Sequence, residues 1–363
     1  MRVTGSRLQR SSRQLRPRLV LELSDEAHRS GFGGASPLAP FSLESIDDCA
    51  RVLTGVEDRL AALDDALPAA EAVGAALASL GSDLDAVPSA RLALETALFD
   101  LVGQRAGLSV AACLGGLPEL TSARVPVNGL LRAAPEETLA DRAVALAARG
   151  YSVIKIKLGA RDERGFQREL AALGELRARL PLPFEIRLDP NAAWSLDEAN
   201  SRLDALAAVA PAFVEQPVAP TLLHRLEEHA VPWAADESLA VPELINPLLA
   251  ASGCVAFVLK PAILGGLDRA RALALRAQAR GIGVVVTHLF DGPYSMAAAA
   301  ELAVSLPQPP LACGLDRHDA LEAWSADAGG LVIPQLAEPG WIQSSGGPGL
   351  GVTGGSLGIP STR

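Results

Sequence analysis

The chain has 363 residues, 49% hydrophobic and 20% charged, a balance that supports a buried core and lacks the low-hydrophobicity signature of disorder. Its net charge of −10 leaves no excess of Lys and Arg for a phosphate-binding face, which excludes a nucleic-acid surface and points to small-molecule chemistry. Cys49, Cys113, Cys254 and Cys313 form no C-x-x-C pair, so they read as buried thiols in a reducing, cytoplasmic setting rather than as a zinc cluster or disulfide framework.

The basic opening, residues 1–19, has the look of a transit peptide, yet it runs straight into an alternating strand-like stretch at 19–23 and is read as part of the fold. Helical patterns follow at 45–53, along an alanine-rich stretch from 59 to 80, and at 90–101, where Leu94, Ala97, Leu98 and Leu101 form one apolar face. This mixture predicts an α+β capping domain over residues 1–120. No apolar run is long enough to span a membrane.

From about Pro126 the sequence repeats a beat: a short β-branched run, a Gly/Pro/Asp turn, then an Ala- and Leu-rich amphipathic stretch. Strands are expected at 125–130, 152–158, 184–188, 212–215, 233–236, 255–259, 283–287 and 311–313, with helices at 136–148, 164–179, 195–209 and 267–280. Eight β-then-α units predict an α/β fold closed into a (β/α) barrel over residues 121–325. The last 38 residues, 326–363, are rich in Gly, Pro and Ser and predict an irregular tail packing back on the capping domain.

Within Ile154-Lys155-Ile156-Lys157 the strand period of two puts both lysines on one face. Both faces of a barrel strand are covered, so two lysines near its C-terminal end must point into the barrel mouth, where crowding of the two cations is expected to lower both pKa values. Three further strand ends finish in carboxylates: Asp189, Glu215 and Asp236, each about one βα unit after the last. Three such anions on one rim need neutralising, and hard oxygen ligands suit Mg²⁺. One unit further on, Lys260 places a cation across from the K-x-K pair, so that a carboxylate substrate would have its α-hydrogen facing one lysine or the other.

In this order the K-x-K strand, Asp189-Pro190-Asn191, Glu215-Gln216-Pro217, Asp236-Glu237-Ser238 and the late Lys260 resemble the enolase superfamily, and within it the muconate-lactonizing-enzyme subgroup. The resemblance implies a modified TIM barrel with a capping domain, Asp189, Glu215 and Asp236 as Mg²⁺ ligands, Lys157 as the base, Lys155 as its partner and Lys260 facing them. Segments 33–42 and 125–131, Cys313-Gly314-Leu315-Asp316, and 348–352 look like o-succinylbenzoate synthases, and the eighth strand lacks the D-x-D of dipeptide epimerases. The implied reaction is syn-dehydration of a succinyl-hydroxycyclohexadiene carboxylate in menaquinone synthesis. The alternative is an N-succinylamino-acid racemase or dipeptide epimerase in which Lys157 and Lys260 are opposed bases.

The chain departs from the synthases at Gly34, where they carry Glu, and at Thr287-His288-Leu289-Phe290-Asp291, where they carry a Ser-rich segment with a Glu. His288 reads as a structural residue. Arg187, on the face of Asp189, is expected either to tune the lysines or to pair with a carboxylate. Gly265-Gly266 reads as a loop-to-helix turn rather than an anion site. The G-x-G-x-x-G match at 349–354 has no helical pattern after it and is not a dinucleotide site.

Overall fold

The computed structural model describes residues 1–11, 17–115, 123–131, 138–319, 321, 333 and 338–352. Strands β1 (Val3–Ser11), β2 (Arg18–Asp25) and β3 (Ser30–Ala35) form an antiparallel sheet in that order. The strand expected at 19–23 is the centre of β2, and residues 3–11 of the basic opening form an edge strand, where arginines reach solvent at little cost.

The sheet packs on the Pro88–Ala106 helix, and its glycines explain how closely. A Cβ on Gly33 would lie 1.8 Å from the Ala93 carbonyl oxygen, and one on Gly31 would lie 2.3 Å from that of Ala97. Helix backbone and strand backbone thus touch where only hydrogen can fit. Gly33→Ala should therefore destabilise the protein by about 3 kcal/mol through overpacking, read as a lowered urea midpoint at unchanged slope.

The helix was expected to bury one face, but Glu95, Thr96 and Asp100 are buried as well as the leucines, because it is enclosed by the sheet on one side and barrel helices on the other. The 59–80 stretch is not one helix: only Ala69–Ala78 is long and regular, and it begins immediately after Pro68.

Strand β4 (Arg124–Pro126) leaves the barrel to pair antiparallel with the later segment 341–343. The barrel staves are β5 (Gly129–Leu131), β6 (Val153–Lys157), β7 (Glu185–Asp189), β8 (Phe213–Glu215), β9 (Trp233–Ala235), β10 (Cys254–Leu259) and β11 (Gly283–Val286), all parallel and in sequence order. Strand β12 (Trp341–Gln343) is the partner of β4. The expected first strand is thus split between β4 and β5.

The eighth stave is a pair of bridges rather than a strand. Leu311 and Gly314 donate to Val284 and Val286 at 2.8 and 2.9 Å, while Cys313 donates to Pro126 at 2.8 Å and accepts from Asn128 at 2.9 Å. Segment 311–314 therefore closes the ring between β11 and the chain at 126–128. The chain is a (β/α) barrel with an N-terminal α+β cap.

The barrel helices fall near their expected places. Ser195 caps the Leu196–Ala205 helix in a capping box with Glu198, and the expected extension to 209 is a 3₁₀ turn. The Leu139–Ala148 helix starts at Thr138, and its expected first residues, 136 and 137, lie outside the described residues. In the described part of the tail, Leu350 donates to Asp100 at 2.9 Å and Gly349 accepts from Val110 at 3.2 Å. Residues 353–354 of the glycine motif lie outside the described residues. No helix among the described residues is long and apolar enough to cross a membrane, and the four cysteines are buried and unbridged.

Candidate active site

Strand β6 sorts its side chains as its alternation dictates. Ile154 and Ile156 are buried in the core, while Lys155 and Lys157 project from the other face. Parallel pairing sets Lys157 opposite Asp189 on β7. Lys157 Nζ donates to Asn191 Oδ1 at 2.7 Å and to Asp189 Oδ2 at 3.2 Å, and Lys155 Nζ lies 2.8 Å from Asp189 Oδ2 and 2.5 Å from Glu215 Oε1. Lys260, just past β10, reaches both Asp236 carboxylate oxygens at 2.6 and 2.5 Å and lies 5.3 Å from the centre of the Phe41 ring on the cap.

All six residues expected at the site are therefore brought together. The three carboxylates are only 1–5% exposed, so their charges are offset by the lysines rather than by water.

The expectation that crowding would depress the lysine pKa values fails for Lys155. Burial disfavours its ammonium form, but Asp189, Glu215 and Asp236 outweigh that penalty and hold its pKa above the ordinary lysine value. Lys260 is raised likewise, burial being outweighed by Asp236, Glu237 and Glu215. Burial also acts on Asp189, yet Lys155 and Lys157 pull it down to about 2. Glu215 goes the other way, to about 8, because burial and the neighbouring Asp189 and Asp236 outweigh Lys155.

A carboxyl group that prefers a proton marks a place where buried negative charge exceeds what the lysines neutralise, and three hard oxygen donors there fit a divalent cation. Among the described residues, no three His, Cys, Asp or Glu side chains are already drawn around one point. Lysine ammonium groups stand between the carboxylates, so metal binding would replace ammonium contacts with metal contacts.

A 120 Å³ cavity opens over Lys155, Lys157 and Lys260, with Asn128, His288 and His318 among its other walls. A second cavity of 290 Å³ adjoins it through Phe41, Asp236 and Lys260. The cap closes the barrel mouth through Phe41.

Several secondary expectations resolve in particular contacts. Arg187 pairs with a carboxylate: it donates to Glu185 at 2.6 Å and to the Ala312 carbonyl at 2.6 Å, pinning the bridging eighth segment. The amides after Gly265-Gly266 do meet an anion, but it is the protein's own. Glu95 accepts from Leu267 and Asp268 at 2.5 and 3.0 Å, while Arg91 donates to Gly265 and Asp268, keying the cap helix into the loop after Lys260.

Gly34 lies at the end of β3, where its carbonyl accepts from Ser295 at 2.9 Å. Asp291 accepts from the Leu289 amide at 2.9 Å, within its own turn. Asp316 lines the cavity and accepts from the Tyr151 hydroxyl at 2.7 Å and the Arg317 amide at 2.9 Å. Sequence reading gave no role to Asn191 as a partner of Lys157 or to His318 beside His288. Asn191 could have been found, since it stands two residues after a strand-end Asp. His318 shows only that it follows the eighth stave.

The fold and this constellation define a capped (β/α)-barrel enzyme. Residues 138–354 match the enolase C-terminal domain-like family. Over 351 residues the chain is 31% identical to L-Lys-D/L-Arg epimerase of Methylococcus capsulatus, covering 92% of this chain and 90% of that protein. It is also 31% identical to muconate cycloisomerase 1-1 of Acinetobacter lwoffii and to o-succinylbenzoate synthase of Desulfotalea psychrophila, each over 63% of this chain, spanning 60% and 62% of those relatives' lengths.

The crystal structure of the Methylococcus capsulatus dipeptide epimerase with Mg and the dipeptide L-Arg-D-Lys superposes with a TM-score of 0.79 at 27% identity, over 97% of this chain and 100% of that one. Muconate lactonizing enzyme from Pseudomonas putida shares the fold, with a TM-score of 0.80 at 22% identity, over 98% of this chain and 97% of that one. The chain belongs to the enolase superfamily, in its muconate-lactonizing-enzyme subgroup.

Proposed function

We propose that this enzyme catalyses the Mg²⁺-dependent syn-dehydration of 2-succinyl-6-hydroxy-2,4-cyclohexadiene-1-carboxylate to o-succinylbenzoate in menaquinone synthesis, with Lys157, Lys155 and Lys260 as its working lysines. Asp189, Glu215 and Asp236 would hold the metal, whose charge, when bound, stabilises the negative charge that develops on the substrate carboxylate. Lys157 takes the proton from the carbon bearing that carboxylate. It then returns the proton to the hydroxyl on the adjacent carbon, so that water leaves and the ring becomes aromatic. Syn geometry lets one base serve both steps, because proton and hydroxyl depart from one face. Lys155 stays a cation beside Lys157 on the same strand face, and Lys260 is a fixed cation on the opposite wall.

The observation that carries the lyase reading is the end of the eighth stave. Among the described residues its one cavity-lining carboxylate, Asp316, is engaged by Tyr151 and the Arg317 amide, and Arg317 lines the same cavity. Such a wall suits a substrate that is anionic at both ends better than a dipeptide, which presents an ammonium group. Incubation with Mg²⁺ and the cyclohexadiene substrate should give the ultraviolet signal of the aromatic product, and no signal with verified substrate would refute the assignment. EDTA should abolish turnover and Mg²⁺ restore it. Mg²⁺ at 100 times its Kd should also stabilise the protein by about 2.7 kcal/mol in thermal denaturation, a readout independent of activity.

A second reading, epimerisation of an N-acylamino acid or dipeptide, is favoured by the near full-length likeness to the Methylococcus epimerase and by Lys157 and Lys260 lining one cavity. Incorporation of solvent deuterium at the α-carbon of both enantiomers, followed by NMR, would establish it.

A further inference from the structure

We infer that Gln216 is a positioning residue of the metal site: it ties the three carboxylate-bearing staves into one frame and thereby sets which divalent cation that frame suits. The inference rests on the reading of Asp189, Glu215 and Asp236 as the metal ligands. Glu215-Gln216-Pro217 and Asp236-Glu237-Ser238 are two of the motifs that carry the family resemblance, and the proposed reaction uses only the first residue of each. In the fold two of the others meet: Gln216 and Ser238 are both fully buried, and their side chains are bonded to each other.

The Gln216 side chain leaves neither its oxygen nor its nitrogen unused. Its Oε1 accepts from the amides of Asp236 at 3.0 Å and Ser238 at 3.1 Å, and its Nε2 donates to the Val218 carbonyl at 2.9 Å and to Ser238 Oγ at 2.7 Å. Backbone amides on one side and a carbonyl on the other fix which end is oxygen and which is nitrogen. The main chain of the same residue stitches the neighbouring staves: its amide donates to Ala234 on β9 at 2.8 Å, and its carbonyl accepts from Ala192, just past Asp189, at 2.7 Å. Glu215 is the residue before it. Gln216 thus bonds to the chain beside Asp189 and to Asp236 itself while carrying Glu215 next to it.

Gln216 holds this place with a φ of 40°, and Asn191 and Ala192 lie at 50° and 57°. Left-handed backbone outside glycine persists where the surroundings over-determine it, so these turns are held rather than relaxed. A buried amide with its groups paired is stiff, and stiffness discriminates between cations. Mg²⁺ takes oxygens at about 2.0–2.1 Å in a near-octahedral shell, whereas Ca²⁺ accepts more oxygens at about 2.3–2.6 Å in flexible shells. Carboxylates fixed in position favour the first, and carboxylates free to shift serve the second as well.

Calorimetric titration of the EDTA-treated full chain with MgCl₂ and, separately, CaCl₂ tests this, beside urea unfolding in EDTA as a measure of the fold alone. In Gln216→Met, which fills the space without accepting from either amide, the Mg²⁺ dissociation constant should rise by about tenfold or more, as is typical when a group that orients metal ligands is lost. That for Ca²⁺ should change by less than about threefold, because Ca²⁺ tolerates flexible geometry. Gln216→Asn suits left-handed backbone but is a methylene too short to reach the Asp236 amide, so it should give the same shift, and it decides the matter if the Met variant does not fold.

Equal weakening of both ions, the mark of a merely structural role, would overturn the inference, as would unchanged affinity for both. Asp236→Asn separates the reading beneath it, since that variant should lose binding of both ions. Wild-type Mg²⁺ affinity in Asp236→Asn would overturn the ligand assignment, whereas lost binding there with an unchanged ion ratio in the Gln216 variants would overturn the role of Gln216 alone.

Discussion

Replacing Lys157 by Ala is expected to lower kcat for dehydration by at least about 10³-fold with little change in stability or in Mg²⁺ affinity. General acid–base catalysis contributes about 10²–10⁴-fold, and here one residue both removes and returns the proton, so the variant loses help in both steps. The fold tolerates the change because Lys157 is only half-buried and because Asp189 keeps its 2.8 Å contact with Lys155 when the 3.2 Å contact with Lys157 is lost. Lys157→Arg should fail as badly as Ala: the guanidinium keeps the charge but does not deprotonate near neutral pH. Stopped-flow turnover alongside Mg²⁺ titration by thermal shift separates chemistry from folding. A Lys157→Ala enzyme within tenfold of wild type would remove Lys157 from the proposed role.

What could be seen in the sequence was whatever follows from a local period. Alternation alone set Lys155 and Lys157 on one face of β6, and the spacing of Asp189, Glu215 and Asp236 by about one βα unit placed them on one rim. What could not be seen depends on a distant partner. Strand β3 reads Ser-Gly-Phe-Gly-Gly-Ala, with no β pattern, and exists because the Pro88–Ala106 helix needs glycine at Gly31 and Gly33 to approach it. Alternation puts Arg187 on the face of Asp189, but one of its two acceptors is the Ala312 carbonyl, 125 residues away. The direction of the Lys155 shift is hidden from the sequence for the same reason: its neighbour two residues along is a cation, but Asp189, Glu215 and Asp236 come from three other staves and together outweigh it. His288 looked solitary until the ring closure brought His318 beside it.

Lys260 should respond differently to two substitutions, and the pattern decides between the two chemistries the site permits. As a fixed cation in a dehydratase it need only keep its charge, so Lys260→Arg should retain most of kcat, whereas Lys260→Ala should lose about 10²–10³-fold, the effect typical of removing one electrostatic group from developing charge. Both variants disturb Asp236, which Lys260 contacts through both carboxylate oxygens, so Mg²⁺ affinity must be measured beside kcat. In Lys260→Ala the freed carboxylate should bind the metal at least as well as before. Loss of turnover with Mg²⁺ bound therefore reports on the missing charge rather than on a missing ion.

An epimerase behaves otherwise. There Lys260 must gain and lose a proton, Arg cannot replace it, and both variants should abolish α-deuterium exchange from one enantiomer while Lys157 still exchanges the other. Retention of activity in Lys260→Arg would therefore assign Lys260 as an electrostatic group. Enantiomer-selective loss in both variants would assign it as the second base.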